Sequence, residues 1–391
     1  MATARRLALG RLVSITGGSA AYIALVTALY GETGSALWIS AAIFSSVVAS
    51  VVSAPLAGWI GDRFDRRKVL IGADLGAALG SLALASTYRH PAVVVALVGI
   101  STVVQAPFEP ASAAALPNIV SSADVPRANA LVAGTSSAGY LAGPLLGGAV
   151  LAAGASAGTL FVVDAGTFVA SAAIVWTIRR PFGRGSMEEH PGVLAGFRLV
   201  FRDRSLRLPV LAGMISLVGV GIVDVASYPL SLDLGGGTSG YGAMTALLGG
   251  GGLLGAAVAG RVLRAGAARV LVAAFAAGAV GLALAGSAPV LALGLVGMAV
   301  AGAGRGLGDV AATTLIQARA PDEVRSRVFA AQDGAAHAAF SASAFTGGLL
   351  VQVASARGAF ATAAAFGVGA TLLASRARGG AGERSLDHEP K

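Results

Sequence analysis

Long apolar runs separated by short polar links set the pattern of this chain. Twelve can be drawn, at 11–30, 36–60, 69–88, 92–116, 129–153, 159–178, 208–232, 240–262, 270–285, 290–316, 328–353 and 358–374. Each is close to the ~20 residues that a helix needs to cross a bilayer core. The pattern predicts an all-α membrane protein with twelve transmembrane helices. Only one link is long. It divides the chain into an N-terminal six-helix half (1–178), a linker (179–207), a C-terminal six-helix half (208–375) and a polar, Gly-rich tail (376–391) expected to be disordered. In the linker, Val193, Phe197, Val200 and Phe201 recur at helical spacing beside Arg198, Arg202 and Arg204. That stripe predicts an amphipathic helix lying on the cytoplasmic membrane surface.

Composition agrees with the pattern. The chain is 55% hydrophobic and 12% charged, with a mean hydropathy of +0.77, which excludes an ordinary soluble fold. It has no cysteine, so disulfide, iron–sulfur and thiolate chemistry are excluded. Lysine occurs only at Lys68 and Lys391, and the Arg, Ala and Gly bias suggests a GC-rich bacterial gene. The net charge of +9 is explained by the positive-inside rule, with no need for a nucleic-acid partner. With a cytoplasmic N-terminus, every Lys and Arg falls on the cytoplasmic side except Arg89, Arg357 and the intrahelical Arg305. The expected topology has both termini and the linker in the cytoplasm of a bacterial inner membrane. Arg5, Arg6 and Arg11 read as charges ahead of an uncleaved first helix.

The two halves echo each other. Ala57-Gly58 returns as Ala259-Gly260, Lys68-Val69-Leu70-Ile71 as Arg269-Val270-Leu271-Val272, Glu109 as Asp309 and Arg127 as Arg327. Parallel six-helix repeats are the plan of transporters that bind substrate between their halves.

Between the second and third runs lies Gly58-Trp59-Ile60-Gly61-Asp62-Arg63-Phe64-Asp65-Arg66-Arg67-Lys68. Gly58 and Gly61 would allow close helix packing, and Asp62 can accept hydrogen bonds. Gly58, Asp62, Arg63, Arg66 and Arg67 resemble the G-x-x-x-D-R-x-G-R-R loop of the major facilitator superfamily, with Asp65 at the second Gly. Gly139, Gly143, Pro144, Gly147 and Gly148 resemble the G-x-x-x-G-P-x-x-G-G helix of its proton-coupled drug exporters. Ser239-Gly240-Tyr241-Gly242 and the stretch 321–328 are similar to the enterobactin-exporter-like, transmembrane-secretion-effector branch. The resemblance implies a major facilitator fold of two pseudo-symmetric halves, in which the loop latches one state of an alternating-access cycle. Two departures concern the coupling group: the fourth run lacks the Arg common in proton-coupled members, and the first has Gly17-Gly18 in place of Gly-Asp.

Ionisable residues inside a membrane are candidates for function by default. Glu109, Asp224, Arg305 and Asp309 lie in runs that the resemblance puts around the central cavity. Arg305 and Asp309, one turn apart, read as a pair. Glu109, with no cation nearby in sequence, reads as the proton carrier. Asp333, one turn from His337, suits a helix N-terminus. Asp74 and Asp164 read as packing residues on peripheral helices. His90, His190 and His388 have no zinc spacing, and no phosphate-binding Gly-rich loop points to ATP. The expectation is a monomeric, cofactor-free, non-enzymatic transporter. It would export a small, partly apolar drug, siderophore or secondary metabolite against protons. An importer or uniporter, and a non-transporting sensor or assembly partner, are the other readings.

Overall fold

The computed structural model describes residues 1–178, 182, 204–319 and 325–379. The amphipathic linker helix, the loop at 320–324 and the tail beyond 379 lie outside the described residues, as do the side chains of Asp62, Asp333 and His337. Among the described residues, twelve α-helices follow in order: α1 (Ala2–Thr33), α2 (Ala36–Arg63), α3 (Arg66–Thr87), α4 (Pro91–Gln105), α5 (Phe108–Ile119), α6 (Val125–Ala152), α7 (Ala157–Trp176), α8 (Arg204–Asp233), α9 (Gly237–Val262), α10 (Ala267–Ser287), α11 (Leu291–Arg319) and α12 (Arg325–Gly379).

These are not the twelve runs drawn from the sequence. The fourth run is two helices, α4 and α5, parted at Ala106–Pro107. Pro107 and Pro110 each lack the N–H that a continuous helix would use there. The last two runs form one element, α12, broken at Ser355, whose φ of 71° and ψ of 169° are not helical. Among the described residues, ten helical spans are long and apolar enough to cross a membrane, with 91–119 and Ala338–Arg376 each counted once. α6 is not among them; Thr135, Ser136, Ser137 and its glycines dilute its hydropathy. α1 also starts earlier than expected, so Arg11 is inside a helix and not ahead of one.

The chain forms two compact units, Met1–Glu188 with Gly236–Ala246, and Glu189–Gly235 with Leu247–Lys391. In the first, α1 packs on α6 and α7, and α3 packs on α7 and α4. In the second, α8 packs on α12, and α10 packs on α11 and α12. The repeat accounts for this parallel. Val69 and Leu70 anchor a buried cluster with Leu7, Phe108, Ala111 and Leu116. Their echoes Val270 and Leu271 anchor one with Phe275, Ala311 and Leu315.

Glycine lets helices approach at backbone distance. In the second unit, Gly251 and Gly255 of α9 lie against Ala299 and Ala303 of α11, and Gly302 and Gly306 of α11 lie against Leu248 and Gly252. A Cβ added at any of these four glycines would overlap opposing backbone.

Candidate functional site

The proline break between α4 and α5 puts Glu109 in the first turn of α5, where the positive end of the helix dipole favours an anion. Opposite it, α1 presents Arg11. The guanidinium donates to both carboxylate oxygens, Nη2 to Oε1 at 2.7 Å and Nη1 to Oε2 at 2.9 Å. It also reaches Ser112 Oγ on α5 at 3.3 Å and Ser136 Oγ on α6 at 3.4 Å. Its carbon lies 5.9 Å from the centre of the Phe108 ring. The bidentate fork is the strongest geometry that this residue pair offers. The two ends differ in setting: the Arg11 side chain is 10% exposed and that of Glu109 68%. Arg11 is thus fixed in protein, while Glu109 is open on its far side.

The sequence reading assigned Arg11 to topology and missed this pair. The signal was there: a cation followed by a long apolar run, inside a helix, requires a partner. Glu109 therefore has the cation that it was expected to lack. The other candidates are arranged differently from expectation. Arg305 and Asp309 are one turn apart on α11 and exposed, and no hydrogen bond or ion pair is seen between them. Arg305 instead lines an apolar pocket of the second unit, beside Ser216, Phe275, Leu282 and Ala363. Asp224 is partly buried on α8. Asp164 is buried on α7, where Ser81 Oγ donates to it at 2.7 Å. Asp74, on α3, is fully buried.

The loop between α2 and α3 is tied into its own bundle. Asp65 caps α3, accepting from the N–H groups of Arg67 at 3.0 Å and Lys68 at 3.2 Å. Arg66 donates to the carbonyls of Ala114 at 2.8 Å and Phe182 at 3.4 Å, and Arg67 to that of Trp176 at the end of α7. Arg6 reaches the neighbouring Thr177 carbonyl at 3.3 Å. Cations on the last carbonyls of a helix satisfy acceptors that have no intrahelical donor. Arg63 stacks over Trp59 at 5.5 Å. No described atom lies within 4 Å of where a Gly58 Cβ would be, so the close packing expected there is not seen. The Asp62 side chain, the centre of the expected latch, lies outside the described residues.

Gly139, Gly143, Gly147 and Gly148 of α6 are buried in contact. A Cβ on Gly139 would lie 2.8 Å from Ile15 Cγ2, one on Gly143 2.6 Å from the Thr16 carbonyl oxygen, and one on Gly147 2.7 Å from that of Ala20. Gly148 faces the start of α9, 2.8 Å from the Thr238 carbonyl by the same measure. Pro144 sits within this seam. Among the described residues, no group of three or more His, Cys, Asp or Glu is placed to hold a metal ion.

Repeated helical bundles whose helices are long and apolar enough to cross a membrane are the plan of membrane transporters. Residues 7–263 match the model of the Major Facilitator Superfamily, and the chain belongs to that family. It is a multi-pass membrane protein and a secondary transporter of a small molecule. Solved structures share the fold at low identity. A mutant of the nucleoside transporter NupG is 13% identical with a TM-score of 0.81, covering 96% of this chain and 99% of that one. A bacterial homologue of the iron transporter ferroportin, in an inward-facing state, is 15% identical at 0.76, covering 96% and 98%. A D-xylose–proton symporter is 14% identical at 0.74, covering 95% and 96%. No curated protein matches the chain.

Proposed function

We propose that this chain is an exporter of the bacterial inner membrane. It moves a small, partly apolar molecule such as a drug, siderophore or secondary metabolite outward in exchange for protons, as a monomer and without a cofactor. In this reading α6 is a further crossing beside the ten most apolar spans, and the break at Ser355 divides α12 into two, giving twelve. The halves 1–178 and 208–375 work by alternating access and are joined by a cytoplasmic linker at 179–207. Both termini are cytoplasmic, the tail 376–391 included.

The observation that carries the reading is the α1–α6 seam. Gly139, Gly143 and Gly147 bring α6 onto the backbone of α1, and Pro144 removes one backbone hydrogen bond from the middle of the contact. This is the arrangement that the exporter-type motif would produce, and it gives α6 a place to bend against α1. Arg11 lies on the same helix as the contacted Thr16 and Ala20, so bending at the seam acts on the Arg11–Glu109 pair. Asp62, with Gly58, Arg63, Arg66, Arg67 and the exporter-branch loop form, latches one end state. Asp224, Arg305 and Asp309 orient substrate.

Inside-out membrane vesicles with partly apolar fluorescent dyes test this. An acid-inside gradient should drive dye uptake, and a protonophore should abolish it. Accumulation only in right-side-out vesicles with acid outside would overturn the proposal in favour of import.

A further inference from the structure

Asp74 is a buried ionisable group that the exporter reading leaves unused. It lies eight residues into α3, about 12 Å along the helix from Arg66. None of its surface is exposed. Neither carboxyl oxygen meets a donor at hydrogen-bond geometry, and the buried Ser171 hydroxyl on α7 makes no such bond either, although it stands close enough to act on the carboxyl. An isolated buried carboxylate discharges itself by taking a proton. Packing alone does not require a carboxyl here. By the register that pairs Val69 with Val270 and Leu70 with Leu271, the second unit has Phe275 at this place, inside its apolar cluster.

The surroundings supply a control. Gly10 of α1 lies against Ser171; a Cβ on it would be 3.3 Å from the hydroxyl oxygen. The next residue is Arg11, whose guanidinium is committed to Glu109. The other ionisable groups around α3 are few. α1 also carries Arg5 and Arg6 in its first turns, and Arg6 donates to the Thr177 carbonyl. α7 brings Asp164, engaged by Ser81. α5 brings Glu109, and α4 brings none. Those of α2, Asp62 and Arg63, are in its last turn, and Arg66, Arg67 and Lys68 are in the first turn of α3 itself.

We infer that Asp74, beside Ser171, is a proton-binding site inside the first unit, and that Arg11 governs its occupancy by pairing with Glu109. While Glu109 holds Arg11, Asp74 keeps its proton on a carboxyl oxygen. When the pair opens, the freed guanidinium charge favours the Asp74 carboxylate, and the proton leaves to water. The inference names the proton carrier within the antiport reading and rests on that reading only for its purpose; the protonation itself is measurable without transport.

The test is infrared spectroscopy of the full-length protein in lipid, stepped through pH, following the carbonyl stretch of protonated carboxyl groups. Wild type should show a buried-carboxyl band at neutral pH that is lost in Asp74→Asn, a substitution that mimics the neutral acid. In Glu109→Gln the band should titrate away at lower pH. A band that survives intact in folded Asp74→Asn overturns the site, and an unchanged titration in Glu109→Gln overturns the control by Arg11. Should Asp74→Asn not fold, Ser171→Ala decides: a shift of the band supports the site, and an unmoved band overturns it. Loss of the exporter reading would leave the band in place, whereas absence of the band would leave vesicle export intact and assign coupling elsewhere.

Discussion

Neutralising Glu109 should cost more stability than removing Arg11, although the arginine makes more contacts. In Glu109→Gln the guanidinium stays where it is, 10% exposed, with only neutral acceptors left: the glutamine carbonyl oxygen and the Ser112 and Ser136 oxygens at 3.3 and 3.4 Å. A fully buried charge left unpaired costs about 3–5 kcal/mol. Water reaches the outer side of this pair through Glu109, so the loss falls to about 2 kcal/mol, the scale of a hydrogen bond to a charged group. In Arg11→Met the remaining carboxylate is already 68% exposed and stays hydrated. The loss there is about 1 kcal/mol, from the Ser112 and Ser136 contacts. The double variant should then fall short of the sum by about 1.5 kcal/mol. Unfolding of the four proteins in mixed micelles, read as a double-mutant cycle, measures that coupling. A value inside the ~0.5 kcal/mol additivity limit for independent sites would refute the pair as a stabilising contact.

Four further outcomes are expected. Gly143→Val should lower stability by about 1–3 kcal/mol through overpacking against α1 and reduce flux, while Gly134→Ala on the same helix, with open space around it, should be tolerated; thermal unfolding compares them. Asp65→Ala should cost about 1 kcal/mol by uncapping α3, and Asp65→Ser should restore most of it, with melting midpoints as the readout. Asp62→Asn should abolish dye transport with near-normal membrane insertion, since the arginines set topology; wild-type flux would reduce the motif to a topology signal. A single cysteine at Ser186 should resist impermeant maleimide in intact cells and react in inside-out vesicles, and the opposite pattern would invert the proposed orientation.

The runs and their repeat were legible because hydropathy is local and is read along the chain. Val69-Leu70 and Val270-Leu271 became the cores of the two units on that information alone. Contacts between distant segments were not legible. Arg11 and Glu109 are separated by 98 positions, and nothing periodic links them. The break at Pro107 was visible as residues yet hidden in a hydropathy reading, which counts apolar side chains and ignores missing N–H donors. Arg66 and Arg67 were read for their charge, while the structure uses their geometry, as donors to the carbonyls of Ala114 within α5 and of Trp176 at the end of α7. Asp65 was read as a departure from a glycine and acts as a helix cap.

The glycine seam between α9 and α11 has a consequence for inheritance. Every amino-acid change reachable by a single-nucleotide step from a glycine codon adds a Cβ, and Gly251, Gly255, Gly302 and Gly306 all meet backbone where that atom would stand. Backbone cannot step aside as a side chain can. These four codons therefore have no neutral neighbours beyond their silent third-position changes. Random drift, which elsewhere on a lipid-facing helix exchanges one apolar residue for another, should be arrested along this line. A deep mutational scan would trace the seam as a row of empty columns, drawn by the genetic code as much as by the fold.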